Sequence, residues 1–368
     1  MNRPLIDTDI YRTALEWTDS GRAFAVAVIL KDVGHTPRKA ATKALIDADG
    51  SICGTVGGGP VEAETQRRAV EAVRSGRPLV FDFALEGSTP RADSPICGGS
   101  LRILVDPTAA RHRAVYAEIA EALRLRRRGV LVTTVRTASA TEVSVRWFSA
   151  EGEEGSLLCV ARYAGRSRAG DEAIRTVLAG GTPQYLVQDL PAEGAQLEVL
   201  VEPLVLPPLL VIAGGGHIGQ ALALQAGLVG FQVVVIDDRR EFVDPALFPD
   251  GVATRCGDIA RELAALPISG DTYVVIVTRG HQHDQRALAA CIRRPAAYIG
   301  MIGSRRKVAL MRKDLLDSGA ATAEELGRVY APIGLDIGAE TVPEIAASIV
   351  AQLIAVRRKG EAPRMPTA

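Results

Sequence analysis

Cysteine is scarce in this 368-residue chain: there are five, at positions 53, 97, 159, 256 and 291, and no Cys-x-x-Cys pair. That spacing excludes a sequence-evident zinc knuckle, and an odd count argues against a disulfide framework. A reducing cytoplasm is the expected setting. Net charge is absent too, since 43 basic residues balance 43 acidic ones. No whole-chain field draws the protein to nucleic acid or to an anionic membrane. The longest apolar stretch, Ala221 to Ile236, is interrupted by Gln225, Gly227, Gly230 and Gln232. It reads as a helix running into a strand, not as a membrane span. The opening MNRPLIDTDIYRT lacks a basic stretch followed by an apolar core, so no secretion signal is expected.

What is present is a globular composition, 47% hydrophobic and 23% charged, long enough for two or three domains. The spacing predicts a helix over Asp9–Asp19 and a buried strand over AFAVAVIL (23–30). KALIDADGSICGTV reads as a hairpin turning at Asp49-Gly50. Gly57-Gly58-Gly59-Pro60 then breaks the pattern ahead of a helix over Val61–Arg74. LVFDFAL (79–85) and LRILVD (101–106) read as strands, and Thr108–Arg128 as one long helix with a basic end. Short strands follow (VLVTTV, EVSVRWF, SLLCV, YLVQDL, LEVLVEPL), with a helix near 171–179. Residues 1–206 are therefore an α+β region, with a split into two subdomains near 107–129 left open.

LPPLL (206–210) is the clearest linker, because two prolines can continue neither kind of element. Beyond it the period changes to strand–helix alternation. The strands are LLVIA, VVVID, TYVVIVT and AAYIGM, with helices at 218–229, 258–265, 284–293 and 305–318. Apolar strands with intervening amphipathic helices imply a parallel sheet covered on both faces, a Rossmann-type α/β domain over 207–360. Thr322…Glu325 and Thr341…Glu344 are capping boxes, the second opening a closing helix through Arg358. Residues 361–368 are expected to be a disordered tail.

LLVIAGGGHIGQALA places Gly214, Gly216 and Gly219 in G-x-G-x-x-G register between a strand and a helix. Such a turn lets backbone approach a pyrophosphate, and the helix start offers free N–H groups and a positive dipole end. His217 lies inside this turn and is placed at the pocket. Asp237, 23 residues past Gly214, stands where a ribose-binding carboxylate belongs. Acid and base together in Asp238-Arg239-Arg240 leave the choice between NAD, NADP and another nucleotide open.

A second phosphate-type signal lies in YIGMIGSRRK. Ser304 can cap a helix whose first turn holds Arg305, Arg306 and Lys307, where the dipole disfavours cations. An anion or a partner acid would offset that cost. In RGHQHDQ (279–285), His281, His283 and Asp284 lie at the carboxyl edge where such sheets bind ligands. Two histidines and an acid without a third site fixed by spacing make a weak metal signal, so no metal is assigned. Ligand contact or helix capping is the expectation for Asp284.

The N-terminal segments GHTPRKAATKALIDADGSICGTVGGGPVEAE and PICGGSLRILVDP are not generic. A Thr-Pro-Arg turn with Arg38 and Lys39 leads into a hairpin, a triple-glycine turn (Gly57, Gly58, Gly59) and a helix bearing Glu62. Anion binding and strained connections with positive φ explain such glycines equally well.

With these motifs the chain resembles the XdhC/CoxI family, accessory proteins of xanthine dehydrogenase and related molybdenum hydroxylases. The resemblance rests on TPR (36–38), GTVGGGPVE (54–62), CGG (97–99), GGGHIG (214–219), RGHQHD (279–284), YIGMIGSRRK (298–307) and YAPIGLDIGAETVPEIA (330–346). It implies a maturation chaperone rather than an enzyme. Such proteins bind the molybdenum–pyranopterin cofactor as cargo while a terminal oxo ligand is exchanged for sulfur, then pass it to the apo-hydroxylase. It also implies a cysteine desulfurase partner and a homodimer. Cys97, followed by Gly98 and Gly99, is the candidate sulfur- or molybdenum-handling thiol; a small buried hydrophobe is the alternative. The sequence departs from many relatives at Pro60, where they carry cysteine, and at Ala41, where they carry glycine. The competing reading is an NAD(P)-dependent oxidoreductase with His281 or His283 in acid–base roles.

Overall fold

The computed structural model describes residues 9–85, 98–150 and 168–364. The chain divides into two units, Met1–Leu206 and Pro207–Ala368. The break falls within LPPLL.

In the first unit α1 (Asp9–Asp19) precedes β1 (Phe24–Gly34), whose first seven residues are all buried. β2 (Lys43–Asp47) and β3 (Ile52–Gly54) form the expected hairpin, with Gly50 at φ +84°. Next come α2 (Gly59–Ser75), β4 (Leu79–Leu85) and β5 (Gly99–Asp106), completing an antiparallel sheet in the order β3-β2-β1-β5-β4. The single long helix expected over 108–128 is shorter: a 3-10 turn at Ala109–His112 leads into α3 (Arg113–Arg124). It stops because Arg126 turns left-handed (φ +55°) and Arg127 N returns to the Ala122 carbonyl at 2.8 Å, closing a Schellman-type end.

A second antiparallel sheet, β7-β6-β9-β8, comprises β6 (Gly129–Thr137), β7 (Thr141–Ser149), β8 (Gln184–Leu190) and β9 (Ala195–Pro203). α4 (Arg168–Gly180) packs on it through Ala173, Ile174 and Val177. The strand expected at SLLCV lies outside the described residues. The two sheets share one core, in which Val26, Leu45 and Leu104 of the first meet Leu131, Val135 and Leu200 of the second. Polar ties reinforce it: Arg102 on β5 forks onto Glu198 on β9 at 2.7 and 2.9 Å, and Lys43 on β2 pairs with Glu202 on β9.

The second unit runs β10 (Leu209–Ala213), α5 (His217–Leu228), β11 (Gln232–Asp237), β12 (Ala253–Cys256), α6 (Ile259–Ala265), β13 (Thr272–Ile276), α7 (His281–Cys291), β14 (Tyr298–Met301), α8 (Arg305–Asp317), α9 (Ala323–Gly327) and α10 (Val342–Lys359). All five strands are parallel, in the order β12-β11-β10-β13-β14. Successive strand residues point to opposite faces. Leu209, Val211 and Ala213 meet α6, α7 and α8, whereas Leu210 and Ile212 meet α5 and α10. Apolar side chains cover both faces, which explains why the central strands carry no polar alternation.

The capping box at Thr322 forms in both directions, at 3.1 and 2.8 Å, and Glu344 accepts from Thr341 N at 2.9 Å. Beyond Gly360, the Pro363 carbonyl accepts from Gln352 Nε2, and Arg364 lies over the Tyr330 ring. Among the described residues no helix is long and apolar enough to cross a membrane.

Candidate functional site

The strand order fixes where a ligand can sit in the second unit. The chain leaves β10 towards β11 on one side and later returns to β13 on the other. The carboxyl ends of β10 and β13 are therefore the topological switch point, where sheets of this kind have their ligand crevice. The glycine turn stands at its floor. A Cβ at Gly214 would meet the Val277 carbonyl oxygen, one at Gly215 the Phe242 carbonyl and one at Gly219 the Gly214 carbonyl. These three glycines are demanded by backbone packing. Gly216 differs, because nothing lies within 4 Å of where its Cβ would be. It caps α5 without any side-chain bond, and the first backbone bond of the helix is Gln220 N to the Gly216 carbonyl. The amides of His217, Ile218 and Gly219 thus have no acceptor within the helix, the arrangement that binds oxyanions. His217 is exposed at the first helical position.

Asp237 closes β11 and is 2% exposed. Its Oδ2 accepts from Gly215 N (2.8 Å) and Arg239 Nη2 (3.0 Å), and its Oδ1 from Arg239 N (3.0 Å) and Nε (2.9 Å). Burial alone would raise this carboxyl's pKa, but the bonds from Arg239 and Gly215 outweigh it and hold it below the ordinary aspartate range. The acid expected to receive a ribose is therefore already engaged by Arg239, two residues on, which the sequence marks as bearing on nucleotide choice but not as a partner of Asp237.

The first turn of α8 resolves the expectation of a compensating partner. Ser304 caps it, accepting from Lys307 N at 3.3 Å. Lys307 Nζ donates to Asp284 Oδ2 (2.5 Å), and Thr278 Oγ1 donates to Asp284 Oδ1 (2.5 Å). Asp284 is fully buried and does not cap α7, whose N-cap is Gly280; it braces α7 against α8 and offsets one of the three cations. Arg305 and Arg306 are exposed and form no ion pair among the described residues. His281 Nε2 lies 3.6 Å from Asp314 Oδ2, and His283 is half-buried in the same first turn. Among the described residues no cluster of three His, Cys, Asp or Glu side chains could hold a metal.

In the first unit, sheet order brings together motifs that are distant in sequence. The end of β1, the start of β5 and the β3–α2 turn converge on Thr36-Pro37. A Cβ on Gly99 would stand 3.0 Å from Thr36 Cγ2, and one on Gly57 2.8 Å from Pro37 Cγ. Gly98 lies against Gly34 at the same place. Cys97 lies outside the described residues. The triple-glycine turn takes φ values of +134°, +72° and +60°, and α2 starts with no side-chain cap. Its supply of bare amides is smaller than the sequence implied. Gly57 N already donates to Thr55 Oγ1 (3.1 Å), Thr55 Oγ1 donates to Glu62 Oε2 (2.5 Å), and Pro60 has no N–H. Glu62 is thus a brace for the turn. Arg38 is exposed and makes no ion pair among the described residues, whereas Lys39 is tied to Asp32 at 3.0 Å.

Ala41 adopts the conformation that favours glycine, with φ +72° and its N–H on the Ile29 carbonyl at 2.8 Å. The turn is kept, with a strained residue in it. A left-handed alanine costs about 1–2 kcal/mol, and glycine's greater freedom when unfolded returns about 0.4–1. Ala41→Gly is therefore expected to stabilise the protein by about 0.5–1 kcal/mol, read from urea unfolding.

The switch-point crevice and glycine turn define the second unit as a Rossmann-type domain. Residues 210–353 match the XdhC Rossmann domain, and residues 17–84 match the XdhC and CoxI family. The chain belongs to the XdhC/CoxI family. It is 26% identical over 350 residues to the uncharacterized protein YqeB of Escherichia coli K12, covering 95% of this chain and 46% of YqeB, so it spans less than half of that relative's length. It is 24% identical over 345 residues to a probable xanthine dehydrogenase subunit of Bacillus subtilis 168, covering 91% and 93%. To the molybdenum cofactor insertion chaperone PaoD of Escherichia coli K12 it is 25% identical over 349 residues, covering 95% and 88%. Its fold is similar to that of a solved protein described as a xanthine dehydrogenase from Bacillus halodurans, with a TM-score of 0.69 at 24% identity, covering 97% and 98%.

Proposed function

We propose that this protein is an accessory chaperone that carries the molybdenum–pyranopterin cofactor and delivers it to a xanthine dehydrogenase-type hydroxylase. Family membership and the likeness to PaoD and to the Bacillus subtilis protein support the reading. The observation that carries it is the meeting of Thr36-Pro37, Gly57 and Gly99 around an uncapped helix start, next to Arg38, which makes no ion pair among the described residues. A phosphate-bearing pterin is an anion, and the remaining amides of a helix start beside an exposed guanidinium suit one.

In this reading the cargo exchanges an oxo ligand for sulfur supplied by a cysteine desulfurase, with Cys97 as the thiol at hand. The protein works as a homodimer, and the Rossmann crevice holds a dinucleotide. The open space at Gly216 and the uncapped start of α5 fit a diphosphate. For the hydride-transfer alternative the described residues offer little: His281 Nε2 meets Asp314 Oδ2 at 3.6 Å between partly exposed side chains, and His283 has no ion-pair partner among them.

The full chain, purified from a host that makes the cofactor, is expected to carry about one pterin per protomer by mass analysis. It is also expected to raise the activity of a co-expressed hydroxylase, with Arg38→Glu lowering cofactor content. Absence of pterin together with absence of activation would refute the proposal.

A further inference from the structure

We infer that Arg239 decides which nucleotide the Rossmann crevice accepts, selecting one with a phosphate on the ribose facing Asp237 over one with a free ribose diol. The inference rests on the nucleotide reading of that crevice given above.

An ionised carboxylate offers about four acceptor positions. Asp237 receives four donors, one from Gly215 N and three from Arg239. A ribose diol that donates to this acid, as in dinucleotide sites of the NAD type, has to displace the Arg239 fork. That fork is not loosely held. The guanidinium is clamped between the carboxylate and the Phe242 ring, 3.7 Å from the centroid. Phe242 is itself fixed over the turn, its carbonyl packed where Gly215 has no side chain.

The pinned guanidinium uses Nε and Nη2 on Asp237, which leaves Nη1 without a partner among the described residues, and the side chain is 25% exposed. Arg240 beside it is exposed and makes no ion pair among the described residues. Asp238, the adjacent carboxylate, is shared: its Oδ1 lies 3.9 Å from Arg239 Nε, and its Oδ2 accepts the closer bond from Arg279 at 2.8 Å, leaving Arg239 Nη1 clear of it. Where a neutral diol would dock, the crevice therefore presents occupied acceptors and spare guanidinium donors. A phosphomonoester reverses the demand: it needs donors and charge, and a planar guanidinium supplies both. Diphosphate at the amides of His217–Gly219 and a ribose phosphate at Arg239 together describe a dinucleotide of the 2′-phosphorylated class.

The test is calorimetric titration of the full chain with ADP-ribose and with 2′-phospho-ADP-ribose, probes that differ by one phosphate. Wild-type protein is expected to bind the phosphorylated probe at least about tenfold more tightly. Arg239→Ala and Arg239→Gln, checked for unchanged melting, should abolish that preference and strengthen ADP-ribose binding several-fold, because Asp237 regains free acceptors. Equal binding of both probes by the wild type, or a preference that survives both substitutions, overturns the inference and leaves the nucleotide site standing. Binding of neither probe, or binding indifferent to Gly216→Val, removes the nucleotide site itself and the inference with it.

Discussion

Gly216→Val is expected to weaken nucleotide binding by about a hundredfold or more, the loss of several charge-assisted backbone bonds, while the protein stays folded. The same substitution at Gly219 should instead unfold the second unit. Space separates the two. Gly216 has extended backbone (φ −67°, ψ −173°) that any residue adopts, and nothing lies within 4 Å of its missing Cβ. A valine there extends into the volume in front of the helix amides. Its stability cost is limited to that of a poorer N-cap, about 1 kcal/mol. At Gly219 the Cβ would collide with the Gly214 carbonyl oxygen, a backbone atom that cannot step aside without pulling β10 from its helix. Overpacking against backbone costs about 3 kcal/mol or more. Calorimetric titration and thermal melting of the two variants separate the effects. Equal stability loss in both would show that Gly216 is only another packing glycine.

The largest effect on the first unit is expected from Lys43→Met. Lys43 and Glu202 tie the first sheet to the second with side chains only 9% and 4% exposed. Glu202 Oε1 also accepts from Tyr11 Oη at 3.2 Å, and its Oε2 has no hydrogen-bond partner among the described residues. Removing the ammonium strands a carboxylate in the shared core, and breaking one side of a buried pair costs about 3–5 kcal/mol. Replacing both charges with apolar side chains of similar size is often neutral. Lys43→Met is therefore expected to lower unfolding free energy by that amount, and Lys43→Met with Glu202→Leu to recover most of it. A single variant within about 1 kcal/mol of wild type, by urea unfolding, would mean the pair does not hold the sheets together.

The legible parts of this fold are those where one local cause decides. Leu209–Ala213 is buried along its whole length, so an unbroken apolar run announces a central parallel strand. The glycine turn, Ser304 at the start of α8 and both capping boxes follow from chemistry within three or four residues. β12 escaped because it is an edge strand of four residues, Ala253–Cys256, with three of them exposed and no apolar alternation. Asp237 was readable as the acid at a strand end, but its occupation by Arg239 depends on the chain doubling back just after β11. That spacing, an arginine two residues past the acid, was the only available signal. Asp284 reads as a ligand or a cap from its loop; its partner Lys307 stands on another helix, and no periodicity links them. The meeting of Thr36-Pro37, Gly57 and Gly99 likewise depends on β1 lying between β2 and β5. Strand order is a long-range property that no segment carries on its own.

Glycine-labelled amide NMR of the full chain, titrated with 2′-phospho-ADP-ribose, addresses the oxyanion site atom by atom. Gly216 and Gly219 N–H resonances should move strongly and saturate together. Gly215 N–H, held by Asp237, should move least of the three. Resonances that stay put at saturating ligand, or a response led by Gly215, would contradict a phosphate seated on the open start of this helix.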